Sequence, residues 1–471
     1  MTQPESESSS QDGIELSESN ISNFENKLSP SAAAILKFVK AFEEGGQLNV
    51  FSADAEFKKL RKMVISYRGS LHSLLKQRLE EVVSLGGVSI ITQNDVFQEI
   101  VNLWEKNTSN LTRSELPFLE HALKNPRLSL KELSEQSGLS YPQSRRAQKR
   151  LTDSGVLKIG GMLNPNLLGL DRVLIILENP SLVLSGPYIQ KSLYVDGSPS
   201  IVFMVANIPC ERTAELIDVV RSLRAESSNA SVWRLSAGTP RFDSTYFDPQ
   251  NGWVLDLLHF RLMLRTGGDS LTLSEIPAPS SALNPARFTG AEVRVMDALI
   301  EKLDRTAGDI VKTTNLSESS AFRKRSLLLK EQIILPRARV SIPQLGDRVI
   351  SLFETDIAGD IQPGFSKLPL TYQSQIQNLE NPKEKRVLLS AALPTGSGRD
   401  MIRIMKEEIS KIHSYSVHSV AAGIGTTTKV SSMFDRKDKT WKWDTSRYFD
   451  AVSYEVMRNV ASESEIPLDL A

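Results

Sequence analysis

One cysteine, Cys210, stands in 471 residues. Without a partner it can form neither an intramolecular disulfide framework nor a cysteine zinc site, which suits a reducing compartment. No run of eighteen apolar residues occurs, and the N-terminus has no basic-then-apolar signal pattern, so the expectation is a soluble cytoplasmic protein that does not engage a membrane. The five histidines, His72, His121, His259, His413 and His418, fall in no metal-ligand spacing. Pro394-Thr395-Gly396-Ser397-Gly398-Arg399 lacks the lysine of a phosphate-binding loop and reads as a plain turn from strand to helix. No coherent acid/base set emerges, so neither an enzyme nor a cofactor is expected. Net charge is also absent, 56 Lys/Arg balancing 56 Asp/Glu. That excludes a histone-like coat protein but not DNA binding, because local charge is what meets phosphate.

Charge is distributed unevenly. Residues 1–30 carry six acidic groups against Lys27 and show no apolar periodicity, which predicts a disordered acidic tail. Residues 111–165 hold nine Lys/Arg against five Asp/Glu, and residues 287–342 hold eleven against seven. At 40% hydrophobic residues and this length, several compact units are expected rather than one core.

The most informative stretch is Ser129–Lys158. Leu130 and Leu133 lie at helical spacing, Ser137-Gly138-Leu139-Ser140 is a turn, and a second helix opens with Ser140 as cap and Pro142 in its first turn. Gly155 ends that helix, and Val156-Leu157-Lys158-Ile159 has the β character of a wing. The pattern is a winged helix-turn-helix. Upstream, residues 31–110 read as a helical region. Phe57, Leu60, Val64, Tyr67, Leu71 and Leu74 form a heptad seam on one helix, which either packs within the chain or self-associates. A further helix, about Asn94 to Lys106, follows it.

Beyond the wing, the apolar run Val173–Leu177 is a strand. A short helical segment around Pro187–Tyr194, strands at Ser200–Ile208 and Ser231–Leu235, and a helix at Glu211–Leu223 then suggest a split βαβ, ferredoxin-like sheet over 166–260. Residues 261–286 read as a linker. The plan then repeats, with Leu316-Ser317 and the helix Glu318–Lys330 matching Leu139-Ser140 and Tyr141–Asp153. Leu345-Gly346-Asp347-Arg348-Val349 likewise resembles Leu168–Val173. The extra length of the second copy is expected as a loop insertion in Gly359–Pro382. The fold class expected is α+β: tandem winged helix-turn-helix (111–165 and 287–342) plus ferredoxin-like domains (166–260 and 343–450), an N-terminal helical region and a tail at 451–471.

The stretch Leu128–Asp171 resembles the leucine-responsive/asparagine-synthesis (Lrp/AsnC) type of archaeal and bacterial regulators. The resemblance covers 111–256 well and 287–450 more weakly. It implies a DNA-binding transcription regulator whose ferredoxin-like domains pair and bind an amino acid. Ser144 stands where that family places a core aliphatic residue. Val195–Ser200 matches the family's turn before the third strand only in part, so no small-molecule effector is assigned.

Candidate contacts to double-stranded DNA are Tyr141, Gln143, Ser144, Arg145, Arg146, Lys149 and Arg150 from the first recognition helix, since such helices read with their N-terminal residues. Arg145 and Lys149 share a face, as do Arg146 and Arg150. The second copy offers Ser319, Ser320, Arg323 and Lys324, with Arg337 and Arg339 beside its wing to meet phosphate. Phe322, at the position of Arg145, reads as core packing. The reading is a non-enzymatic, sequence-specific, homo-oligomeric DNA-binding regulator whose first winged helix is the main base reader. The alternative is a tandem winged-helix adaptor contacting the transcription machinery, or a ligand-sensing scaffold.

Overall fold

The computed structural model describes residues 26–45, 55–84, 90–266, 275–276, 288–303, 305–409, 416–425 and 429–464. Residues 1–25 of the predicted acidic tail and nearly all of the Gly/Ser/Pro-rich part of the linker lie outside these residues, whereas residues 26–30 are ordered and Ser29 caps the first helix. Residue contacts divide the chain into two units, 1–108 and 109–471.

The first unit is helical. It contains α1 (Pro30–Glu43), α2 (Ala55–Ser66), α3 (Leu71–Ser84) and most of α4 (Gln93–Ser109). The expected single heptad helix is two helices. Tyr67–Ser70 interrupts it, with Gly69 at φ +98°, a conformation open to glycine and strained for other residues. The seam is used inside the unit: Leu60, Val64, Leu71, Leu75 and Leu79 are buried together with Val39 of α1 and Ile100 of α4. Phe57 packs edge-on against Phe38 at 5.0 Å. Trp104 donates to Ser66 Oγ at 2.8 Å, tying α4 to the end of α2.

The second unit opens with three helices and a strand: α5 (Glu115–Lys124), α6 (Leu130–Ser137), α7 (Tyr141–Ser154) and β1 (Leu157–Leu163). It continues with β2 (Leu170–Glu178), β3 (Leu182–Ser185), β4 (Ile189–Val195), β5 (Ile201–Pro209), α8 (Thr213–Ser222), β6 (Asn229–Leu235), β7 (Thr239–Phe242) and α9 (Leu257–Thr266). The plan then recurs as α10 (Gly290–Glu301), α11 (Ala307–Thr314), α12 (Glu318–Lys330) and β8 (Ile334–Val340). These lead into β9 (Asp347–Glu354), α13 (Thr355–Phe365), β10 (Leu370–Asn378), β11 (Lys385–Leu393), α14 (Gly398–Glu408) and β12 (Ser416–Ser419). Last come β13 (Ala422–Gly425), β14 (Asp450–Ser453) and α15 (Tyr454–Ser462).

One curled antiparallel sheet runs β12-β9-β11-β10-β6-β2-β5-β4-β13, with β7 added beside β10. Its halves share one strand order. The elements β9-α13-β10-β11-α14-β12 make a complete split βαβ unit ordered fourth-first-third-second, and β6-β2-β5-β4 repeats that order. The two strands at the ends of this path, β12 and β13, are neighbours in sequence. Val420 donates to Arg348 O and Ala421 to Tyr194 O, both at 2.8 Å, so the sheet curls back on itself. Leu174, Phe203 and Trp233 from one half and Ile350, Leu352 and Leu388 from the other form one core between the inner faces.

Three expectations are corrected. Pro187–Tyr194 is not a short helix but most of β4, which pairs with β5 and β13. Gly359–Pro382 is not a loop insertion. Its first part belongs to α13, which carries Pro363, and its middle is β10. Residues 450–464 are not a tail, since β14 pairs with β3 and α15 packs over β13 and β4. Coverage is exchanged between the halves. Helix α9, which follows the first, packs on α13 and α14 of the second, with Arg265 bridging Glu408 at 2.6 Å. Helix α15, which follows the second, returns to the first, where Arg458 pairs with Asp196.

Candidate nucleic-acid interface

The helix-turn-helix is built by local chemistry. Ser129 caps α6, and Glu132 reaches back to the Ser129 N–H at 2.7 Å. Hydrogen bonds from the Ser129 hydroxyl and backbone hold the Glu132 carboxyl below its usual range. Gly138 at φ +67° closes α6, and Gly155 at φ +81° closes α7. Helix α7 turns Ser144, Ala147, Leu151 and Ser154 inward against Phe118 and Leu119 of α5.

Tyr141, Gln143, Arg145, Arg146 and Lys149 lie exposed on the outer side of α7. Three of the predicted contacts are placed otherwise. Ser144 is fully buried, filling the position that the resemblance gives to an aliphatic residue. Gln143 folds back, its Oε1 accepting from Ser140 N at 2.9 Å and Ser140 Oγ at 2.7 Å, so that carbonyl serves the cap rather than a base edge. Arg150 lies 3.0 Å from Glu115, with the two side chains only 11% and 4% exposed, and ties α7 to α5.

The second helix-turn-helix uses the same devices. Thr306 and Asp309 form the capping box, the Thr306 hydroxyl holding Asp309 below its usual carboxylate range, and Asn315 at φ +55° makes the turn. Ala321 and Leu328 face inward on α12. Ser319 and Arg323 are exposed and Ser320 is half-buried. Lys324 pairs with Glu292 of α10 at 3.1 Å, which corrects its reading as a DNA contact. Burial alone would raise the Glu292 carboxyl, but hydrogen bonds from Thr289 and Lys324 outweigh it and leave the group below its usual range. Phe322 was expected in the core and is 59% exposed.

The two wings are not separate hairpins. Strand β1 pairs antiparallel with β8 from Leu157↔Val340 to Leu163↔Ile334, so each helix-turn-helix supplies one strand of a shared ribbon. Gly160 and Gly161 let α10 approach. A Cβ on Gly161 would meet Leu299 O at 2.6 Å. The register places Lys158 opposite Arg339 and Gly160 opposite Arg337. Arg339 is exposed, whereas Arg337 is half-buried with Nη1 3.1 Å from Met162 Sδ.

Alongside the ribbon lies a cleft of about 830 Å³. Lys158, Arg337 and Arg339 line it from the ribbon, and Arg325 and Lys330 from α12. Arg127, Lys302 and Arg305 add to them from loops, against Glu301 as the one acidic residue among the described lining. Gln148 and Thr152 of α7 form its far side. Sequence reasoning gave no role to six of these eight cations, because ribbon pairing between residues far apart in the chain is what collects them.

Elsewhere, the amides of Gly396 and Gly398 donate to Asp347 Oδ2 at 3.1 and 2.7 Å, so the Pro394–Arg399 turn serves its own aspartate. Among the described residues, no group of three or more His, Cys, Asp or Glu could hold a metal ion. No helix among them is long and apolar enough to cross a membrane.

Residues 119–158, from α5 into β1, match the winged helix-turn-helix DNA-binding family. A search of curated proteins finds no match. Among solved structures, the siroheme decarboxylase NirDL in complex with an iron-uroporphyrin III analogue is 15% identical. It covers 66% of this chain and 92% of its own, with a TM-score of 0.38. A transcriptional regulator of Neisseria meningitidis in complex with L-Met is 21% identical over 26% of this chain and 87% of its own, with a TM-score of 0.21. The leucine response regulatory protein of Mycobacterium tuberculosis is 19% identical over 26% of this chain and 91% of its own, with a TM-score of 0.19. The chain therefore carries a winged helix-turn-helix DNA-binding domain, and its likeness to regulators of the leucine-responsive type extends over a small part of its length.

Proposed function

We propose that the chain is a non-enzymatic, sequence-specific transcription regulator that grips duplex DNA with two winged helices held in one polypeptide. The working parts are the winged helices at 111–165 and 287–342 and the ferredoxin-like halves at 166–260 and 343–450, read as a tandem duplication that acts as an internal pseudo-dimer. The observation that carries the proposal is the outer side of α7. Tyr141, Arg145 and Lys149 recur every fourth residue and stand exposed, while the inner side packs on α5. Such a row, at the N-terminal end of a recognition helix, suits a major groove, where arginine grips guanine bidentately.

The two helices do not read alike. Helix α7 is the main base reader. Helix α12 presents Phe322 where α7 has Arg145, an apolar group suited to a thymine methyl, and keeps Ser319 and Arg323 for phosphate, where contacts position without specifying. Arg146 adds a further phosphate contact. The test is duplex binding measured across salt concentrations. Replacing both Arg145 and Lys149 by alanine removes two phosphate-neutralising charges, so the slope of log affinity against log salt should fall by about two. Unchanged affinity and slope would refute the proposal.

A further inference from the structure

We infer that the cleft along the β1/β8 ribbon is a binding site for a small polyanion, a molecule carrying several carboxylate or phosphate groups. This site is separate from the duplex-facing row on α7. Its charge is the first ground. Among the described lining residues eight Lys or Arg stand against Glu301, and that glutamate already lies 2.6 Å from Arg305. The ribbon register is the second. Lys158 and Arg339 sit directly opposite each other, so one face of the ribbon presents two cations side by side. Arg325 adds a guanidinium whose buried Nε has no hydrogen-bond partner among the described residues.

Depth decides between a small ligand and a duplex. The cleft continues into an inner pocket of about 110 Å³, which shares Gly161, Ile300, Glu301, Arg337 and Arg339 with it. The inner pocket is walled by Arg172 of β2 and Lys191 of β4, only 6% and 8% exposed. Asn207 of β5 lines it too, 4% exposed. A double helix is far too wide to enter there, whereas a compact polyanion can reach the inner cations while its other charges meet Lys158, Arg325 and Arg339 at the mouth. The outer volume falls within the usual range for small-molecule sites.

The test titrates the full chain calorimetrically with two probes, inorganic tripolyphosphate and citrate. The expected result is saturable binding of one equivalent per chain by at least one of them. Preference for tripolyphosphate marks a phosphate ligand and preference for citrate a carboxylate ligand. Lys158→Gln and Arg325→Gln, both at the mouth, should each weaken binding about tenfold or more, as expected for loss of a charge-assisted hydrogen bond. Arg403→Gln, on the exposed side of α14, should leave it unchanged. Lys191→Met probes the inner pocket, with circular dichroism to check folding, and the mouth variants keep the proposal falsifiable should it misfold. Absence of saturable binding by both probes, or equal binding by the mouth variants, overturns the proposal. So does the outcome in which neither probe binds and both mouth variants lower the salt slope for duplex DNA, since the cleft is then part of the DNA surface.

Discussion

Arg150 is where the structure departs most usefully from the sequence pattern, and its replacement separates two roles for basic residues on one helix. By charge and position it belongs with Arg145, Arg146 and Lys149. Its Nη1 nevertheless lies 3.0 Å from Glu115 Oε1, in a pair 11% and 4% exposed. The other Glu115 oxygen accepts from Thr112 N at 2.8 Å, at the start of α5. Removing one member of such a pair leaves a buried charge without its counter-ion, which costs about 3–5 kcal/mol. Arg150→Ala and Glu115→Ala should each loosen α7 from α5 by that order. The combined Arg150→Met, Glu115→Leu variant should recover most of the loss, because an apolar pair of similar volume removes both desolvation penalties. A two-unit chain of this length does not unfold in one step, so the readout is hydrogen exchange of the α5–α7 amides. A loss of about 3 kcal/mol corresponds to roughly 10²-fold faster exchange there. The salt slope of DNA binding by Arg150→Ala, measured where the helix is still folded, should match that of the parent. Unchanged exchange together with a slope lowered by about one would make Arg150 a phosphate contact and refute the reasoning.

Two other perturbations test the packing around the ribbon and the sheet. A methyl on Gly161 would lie 2.6 Å from Leu299 O and 2.7 Å from Ile334 Cγ2, whereas on Gly160 the closest contact is 3.1 Å from Ile300 O. Gly161→Ala should therefore cost about 1–3 kcal/mol and Gly160→Ala distinctly less, and equal shifts in thermal denaturation would contradict the close approach of α10 to β1. His418 on β12 lies with its ring 6.5 Å from that of Phe203, and burial, then the charge of Lys406, lowers its imidazole pKa. A depressed pKa makes its contribution to stability complete above the unfolded value of about 6.5, and that contribution is lost as the pH falls below it. Urea midpoints should decline on acidification from about pH 7 to pH 5, and His418→Gln should flatten the decline. A parallel decline in the variant would assign it to other groups.

Local signals were legible and non-local ones were not. The first helix-turn-helix could be read because its signals lie within a few residues of one another: Ser129 with Glu132, Gly138 in the left-handed region, and Pro142 in the first turn of α7. Strands β2 and β5 could be read because both faces are buried, which leaves continuous apolar runs. Helix α13 could not. Gly359, Pro363 and Gly364 argue against helix, yet buried Ile361 and Phe365 and the 2.6 Å hydrogen bond from Gln362 to Gln373 hold one there. Tertiary burial overrides propensity at that point. The heptad seam was legible as apolar spacing and packs within the chain, but the single helix it suggested breaks at Tyr67–Ser70, and both pieces pack on α1. For the candidate site, periodicity located the exposed row of α7 but could not distinguish Arg150 and Lys324 from their neighbours. Their partners, Glu115 and Glu292, lie more than thirty residues away in sequence.

The exchanged helices bear on how the two helix-turn-helices are held. Helix α9 leaves the first half of the sheet and covers the second, and α15 leaves the second and covers the first. Each half covers its outer face with its own helices, α8 in the first and α13 and α14 in the second, and the exchanged helix adds to that cover from the other half. The inner faces share one core, and β1 and β8 are each half of one ribbon. The spacing between α7 and α12 is therefore set by covalent continuity and by these joint surfaces rather than by a flexible linker. A pair of identical winged helices held in this way would favour a palindromic site. With Arg145 on one helix and Phe322 at the same place on the other, the function proposed above instead predicts two unlike half-sites, one read by hydrogen bonds to base edges and one by apolar contact and phosphate.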